Sequence, residues 1–196
     1  MTEFFLNNKK VKAKDDETIW TVAKREGIVL PHLCFADKPG YRADGNCRAC
    51  MVSIEGERVL AASCIRKPTE GMKVITNDER SIKSRKMVLE LLVTDQPDRE
   101  TSHDPDSHFW NVASSVDVAK SRFDKREKTI VPCEDASHVA MSVNLDACIH
   151  CNLCVRACRE VQVNDVIGMG NRGHHSKVIF DFNDPMAVSY THLRAH

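Results

Sequence analysis

The chain has 196 residues, 42% of them hydrophobic and 29% charged, which is room for one large domain or roughly two to three small ones. Its 28 basic and 28 acidic residues cancel, which argues against a nucleic-acid role resting on a basic face. No apolar run reaches the length of a membrane span, and the N-terminus lacks the apolar core and cleavage site of a signal peptide. A cytoplasmic location is therefore expected, where thiols stay reduced and clustered cysteines serve metals more often than disulfides.

Residues 4–14 read as a hairpin, with Phe4 and Leu6 alternating before Asn7-Asn8 and Val11 and Ala13 after it. Ile19, Val22 and Ala23 fall at helical spacing, so Thr18 to Glu26 reads as a short helix stopped by Gly27. Pro31 extends the chain up to Cys34, and residues 35–46 are rich in turn formers. Met51–Ile54 and Arg58–Ala61 are expected to form a second hairpin around Glu55-Gly56-Glu57, and Met72–Thr76 a further strand. Small strands over one helix fit a β-grasp fold.

From Asp78 to Val93 the period changes. Ile82, Met87, Val88, Leu91 and Leu92 recur at helical spacing behind Asp78, a suitable N-cap, with Pro97 beyond the end. Residues 95–135 are polar and read as irregular, and the charge run at 122–128 as a solvated face or linker. Residues 142–187 hold a second cysteine run, a Gly-rich turn and a strand at Lys177–Asp181. The fold class expected is α+β: a ferredoxin-like β-grasp domain at 1–77, a helical and irregular linker domain at 78–141, and a bacterial-type [4Fe–4S] ferredoxin module at 142–187.

Eight of the nine cysteines fall into two blocks. Cys34, Cys47, Cys50 and Cys64 read C-x12-C-x2-C-x13-C. A [2Fe–2S] cluster needs four thiolates on two irons, and plant-type ferredoxins supply three from one loop and a fourth from a distant segment. The loop here is longer, and Gly40 and Gly45 allow backbone N–H groups to approach sulfur. By spacing alone a tetrahedral zinc site or buried structural thiols remain alternatives. Cys148, Cys151, Cys154 and Cys158 read C-x2-C-x2-C-x3-C, half of a two-cluster ferredoxin pair in which the fourth cysteine ligates the other cluster. His150 inside this run reads as a solvent-facing spacer. Cys133 reads as a linker thiol, and His174-His175 as surface polar residues.

The stretch PHLCFADKPGYRADGNCRACMVSIEGERVLAASC, with ETIWTVAKREGIVLPHLC before it, resembles the N-terminal [2Fe–2S] domain of three related subunits. These are the large iron–sulfur subunit of respiratory complex I, the diaphorase unit of NAD-linked hydrogenases and the alpha subunit of NAD-dependent formate dehydrogenases. The resemblance implies that Cys34, Cys47, Cys50 and Cys64 hold a [2Fe–2S] cluster. It implies that Cys148, Cys151 and Cys154 hold a first [4Fe–4S] cluster, and that Cys158 serves a second. Arg159 stands where many ferredoxin motifs carry proline.

Complex I and the hydrogenases place a one-His, three-Cys cluster, H-x3-C-x2-C-x5-C, between these blocks. The corresponding stretch here keeps His103 and His108 but has no cysteine. With YRADGNCRACM, GERVLAASCIR and DACIHCNLCVRACREVQVNDVIGM, this points to a branch of molybdenum- or tungsten-dependent formate dehydrogenase alpha subunits. The implied function is electron relay from formate oxidation at a molybdopterin, housed in a missing C-terminal part, to flavin/NAD-binding diaphorase subunits. No catalytic residue is expected within these residues. Alternatives are the iron–sulfur subunit of an NAD-linked hydrogenase or NADH:quinone oxidoreductase and, in another class, a stand-alone ferredoxin-like carrier or zinc-binding interaction module. Residues 188–196 resemble a reading frame of a sequencing adapter, so native sequence is expected to end near Met186 or Ala187, ahead of a second cysteine run.

Overall fold

The computed structural model describes residues 1–125, 134–139, 141–181 and 183–187, with Met141 and His174 described by backbone alone. Cys133, part of the charge run and the adapter-like tail lie outside the described residues. The chain divides into two compact units. The first comprises Met1–Phe35, Ala43–Thr94 and Asp106–Asp124; the second comprises Ala36–Arg42, Asp95–Pro105 and Lys125–His196.

In the first unit, β1 (Thr2–Leu6) and β2 (Lys9–Ala13) pair antiparallel across Asn7 and Asn8. Both asparagines take left-handed φ values, 49° and 67°, which a two-residue hairpin turn requires. Phe4, Leu6, Val11 and Ala13 are thereby set on one buried face. Helix α1 (Ile19–Arg25) is capped by Thr18, whose hydroxyl accepts from Thr21 N–H at 3.3 Å. It buries Ile19, Trp20, Val22 and Ala23, and ends before Gly27 at φ 78°.

The sheet is completed by β3 (Met51–Ile54), β4 (Ala61–Ala62) and β5 (Lys73–Ile75), in the order β2-β1-β5-β3-β4. Strands β1 and β5 run parallel and the other neighbours antiparallel, so one helix crosses a mixed five-stranded sheet, as a β-grasp requires. The second arm of the expected Arg58–Ala61 hairpin shortens to Ala61–Ala62. The Arg58 carbonyl accepts from Arg80 Nη2 at 2.8 Å instead.

Helix α2 (Glu79–Val93) starts at the expected cap, Asp78, whose Oδ2 accepts from Ser81 N–H at 3.3 Å. Its packed face differs from the apolar stripe read in the sequence. Ile82 and Leu91 remain 49% and 50% exposed, whereas Ser81, Arg85, Leu89, Glu90 and Val93 are buried. The Ser53 hydroxyl donates to Asp78 Oδ2 at 2.8 Å and lies 3.1 Å from Ser81 Oγ, which turns this polar edge toward β3. A helix absent from the sequence reading, α3 (His108–Ser115), follows Ser107, whose hydroxyl accepts from Trp110 N–H. Phe109, Trp110, Val112 and Ala113 give it a buried face that the polar surroundings concealed.

The second unit contains two small antiparallel ribbons, β6 (Glu134–His138) with β7 (Met141–Asn144) and β8 (Ile167–Gly170) with β9 (Lys177–Phe180). Between them, α4 (Leu153–Arg156) opens into a wide turn over Ala157–Val161, where Gln162 N–H reaches back to the Ala157 carbonyl at 2.9 Å. Residues 36–42 belong to this unit. The Arg42 guanidinium grips Glu160 through Nε and Nη2 at 2.7–3.1 Å, and buried Arg156 donates to the Arg42 carbonyl at 2.5 Å.

Asn7 ties the first hairpin to the far end of β5. Its Nδ2 donates to Thr76 Oγ1 and its Oδ1 accepts from Thr76 N–H, both at 2.8 Å. Asn7→Ala loses both bonds and a residue suited to φ 49°, and is expected to destabilise the chain by about 2 kcal/mol in urea unfolding. Asn7→Asp, which keeps the acceptor, should fall between alanine and wild type. An unmoved Asn7→Ala midpoint would refute this role.

Candidate metal centres

Three segments bring the first four thiols together. Cys34 ends the extended stretch after α1, Cys47 and Cys50 flank a tight turn, and Cys64 follows β4. Arg48 within the turn takes φ 58°, left-handed backbone that turns the chain between Cys47 and Cys50. Ser63 fastens the Cys64 segment to the turn: its Oγ donates to the Cys50 carbonyl at 2.7 Å and its N–H reaches the same carbonyl at 3.3 Å. The start of α1 secures the other side of that segment, with Ile19 and Trp20 N–H groups donating to the Arg66 and Ser63 carbonyls at 2.9 and 3.0 Å.

The thiol contacts form a series. Cys34 is hydrogen-bonded to Cys47 and to Cys64, and Cys64 also to Cys50. Cys34, Cys50 and Cys64 are buried and Cys47 half-buried, and none of the four is in a disulfide. Donation from the Cys47 and Cys64 thiols, with further N–H donation from residues 46 and 47, pulls the Cys34 pKa down to about 2. Donation from Cys64 leads the causes that lower Cys50 to about 6, with burial opposing it. Cys47 and Cys64 are displaced upward, first by the same hydrogen bonds and then by burial.

The loop backbone supplies donors at close range. Cys47 N–H points at Cys34 Sγ over 3.5 Å. Gly45 takes φ 65°, and a Cβ there would stand 2.7 Å from Ile65 Cδ1, so the residue after Cys64 closes over a position that needs glycine. Neither Ser63 nor Ile65 was singled out in the sequence; their adjacency to Cys64 was the only signal.

In the second block, His150 and Asn152 both take left-handed backbone, φ 52° and 60°, so the chain winds between successive cysteines. His150 N–H donates to Cys148 Sγ at 3.4 Å. Burial raises the Cys148 thiol first, and Cys151 adds to it. The Cys154 thiol is raised by desolvation of its sulfur and then by Cys151 and Cys148. These three therefore lie within electrostatic reach of one another. Cys158 sits on the wide turn after α4, is 4% exposed, and accepts from Val166 N–H at 3.3 Å.

Among the described residues, no group of three or more His, Cys, Asp or Glu side chains is arranged around a single-ion position. The contacts of the first block instead run in series through four thiols, and four is the number that a binuclear cluster takes, two on each iron. The donor set therefore fits a [2Fe–2S] cluster. His108 is engaged elsewhere, with Nε2 donating to the His32 carbonyl at 2.8 Å and its ring 5.3 Å from that of His32.

Residues 1–79 match the family described as "2Fe-2S iron-sulfur cluster binding domain". The chain is 29% identical over 178 residues to the NADP-reducing hydrogenase subunit HndD of Solidesulfovibrio fructosivorans, covering 88% of this chain and 30% of that protein. It is 28% identical over 182 residues to the mitochondrial NADH-ubiquinone oxidoreductase 78 kDa subunit of Candida albicans, covering 90% of this chain and 24% of the relative. It thus spans less than a third of the length of these curated relatives. A crystal structure of an NAD+-reducing [NiFe]-hydrogenase in the H2-reduced state superposes with a TM-score of 0.79 at 25% identity, over 94% of this chain and 79% of that one. No helix among the described residues is long and apolar enough to cross a membrane. The chain is thus an α+β protein whose residues 1–79 match a 2Fe–2S cluster binding domain and which is similar to the iron–sulfur electron-transfer subunits of NAD-linked hydrogenases and NADH:quinone oxidoreductases.

Proposed function

We propose that the chain is the electron relay of a larger cytoplasmic oxidoreductase. In this reading Cys34 and Cys47 hold one iron of a [2Fe–2S] cluster, and Cys50 and Cys64 hold the other. The observation that carries it is the series of thiol contacts 47–34–64–50 inside a domain of matching family. A cluster held there supplies one-electron transfer. The chain's own residues place the sulfurs, direct the Cys47 N–H at Cys34, and exclude water by burying three of the four ligands. Residues 142–187 form a second module in which Cys148, Cys151 and Cys154 serve one [4Fe–4S] cluster and Cys158 another, completed by a further cysteine run. Residues 78–141 act as a linker domain, and 188–196 are a non-native tail.

For the whole protein we favour a formate dehydrogenase alpha-like subunit. It would pass electrons from a molybdopterin site to flavin/NAD-binding partner subunits. Support comes from the matching motifs and from the lack of any cysteine between Cys64 and Cys133. The relatives' names favour a second reading, an NAD-linked hydrogenase or NADH:quinone oxidoreductase subunit. Purified whole enzyme decides between them: anaerobic bleaching by formate supports the first reading, and bleaching by hydrogen or NADH alone supports the second.

The relay itself is tested on this chain. Anaerobic reconstitution and dithionite reduction are expected to give a rhombic S = 1/2 EPR signal from a two-iron centre, lost or radically altered in Cys47→Ser. A colourless chain holding zinc tightly would overturn the assignment. Changing His103 or His108 to Ala is expected to leave iron content unchanged. A loss of about four irons in either variant would show a cubane site at 95–120.

A further inference from the structure

Among the described residues, the continuous buried core of the first unit takes in Cys50 and Cys64 but not Cys34, although Cys34 is fully buried. Residues 30–35, which carry Cys34, lie in neither a helix nor a strand, so no ladder of backbone bonds sets the position of this ligand. One side chain of α1 grips the segment on both sides of the cysteine. The Trp20 indole N–H donates to the Leu30 carbonyl at 3.1 Å. The Trp20 ring then meets the His32 ring at 4.7 Å and 68°, and the Phe35 ring at 5.0 Å and 86°. Both are edge-on contacts at separations where aromatic rings attract. His32 stands two residues before Cys34, and Phe35 directly after it. Trp20 is 5% exposed, and its own backbone N–H donates to the Ser63 carbonyl at 3.0 Å, one residue ahead of Cys64. A single residue thus reaches the chain beside two ligands, Cys64 through its backbone and Cys34 through its side chain.

We propose that Trp20 is the positioning residue of the Cys34 ligand, fixing where that sulfur stands relative to the other three through its ring contacts with His32 and Phe35. This rests on the [2Fe–2S] reading of Cys34, Cys47, Cys50 and Cys64. Trp20 supplies no ligand atom. The indole bond to Leu30 orients the ring, and the ring holds the residues on either side of the cysteine. Groups outside the ligand shell that orient a ligand govern metal retention by roughly 10–100-fold. Cys50 and Cys64 are set by the core and by the Ser63 bonds, so loss of the Trp20 ring frees one ligand and leaves its partners in place. A ligand with a spread of positions gives a spread of cluster geometries and an easier path for iron to leave.

The test compares the reconstituted full chain with Trp20→Leu, Trp20→Phe and Val22→Ala. The readouts are the EPR line width of the dithionite-reduced centre in frozen solution and the rate of iron release to a chelator. Trp20→Leu removes the ring and is expected to broaden the rhombic signal and release iron roughly tenfold faster. Trp20→Phe keeps a ring against His32 and Phe35 and is expected to stay near wild type in both. Val22→Ala truncates a fully buried side chain of the same helix that makes none of these contacts, and is expected to lower the urea midpoint while leaving the line width unchanged. Leucine and phenylalanine variants shifting equally would overturn the inference. Equal broadening in Trp20→Leu and Val22→Ala would reveal a general packing effect and overturn it too. If Trp20→Leu cannot be loaded, Phe35→Leu removes one ring contact at a partly buried position and is expected to broaden the signal; an unchanged line there would refute the role. A wild-type chain with no rhombic signal would sink the two-iron reading and this inference together. A wild-type signal with an unmoved Trp20→Leu line width and release rate would sink this inference alone.

Discussion

Thiols bind iron only after losing their protons, and thiolates crowded away from water repel one another. The first unit is arranged around that demand. The Cys47 N–H points at the Cys34 sulfur, the thiols hydrogen-bond to one another in series, and nearby carbonyls are bound by other partners. Ser63 and the first two N–H groups of α1 take up the carbonyls of residues 50, 63 and 66, so these acceptors are satisfied elsewhere. The same helix start anchors the segment after β4, so the sheet, the helix and the ligand turn depend on one set of bonds.

Much of this was legible in the residues. The Asn7-Asn8 turn, the Thr18 cap and the Gly27 stop follow from local backbone preferences, and the structure reproduces them within a residue or two. Cysteine spacing grouped eight of the nine cysteines into two blocks, and the structure brings the four thiols of the first together. Helix α2 was legible in extent and not in orientation. A periodic apolar stripe predicts a buried face only where nothing polar competes, and the Ser53–Asp78–Ser81 bonds outweighed Ile82 and Leu91. Helix α3 was hidden because its four buried residues fall within five positions amid polar sequence.

The second block shows a different kind of order. Its cysteines lie on a short helix and a winding loop whose conformation relies on two non-glycine residues with positive φ, His150 and Asn152. Such backbone is sustained by its surroundings rather than by local preference. The contrast with the first block is physical. There, a five-stranded sheet with its own buried core sets the ligand positions.

The membership of residues 36–42 bears on how the chain is made. This segment lies between Cys34 and Cys47, yet its anchors are Arg156 and Glu160, more than a hundred positions later. During synthesis from the N-terminus, at about 5–20 residues per second, Arg156 and Glu160 emerge more than a hundred residues after Arg42. For several seconds the nascent chain therefore carries its first set of thiols with the loop between two of them not yet secured. The bonds of Arg42 to Arg156 and Glu160 can form only after every residue of the first unit has been translated.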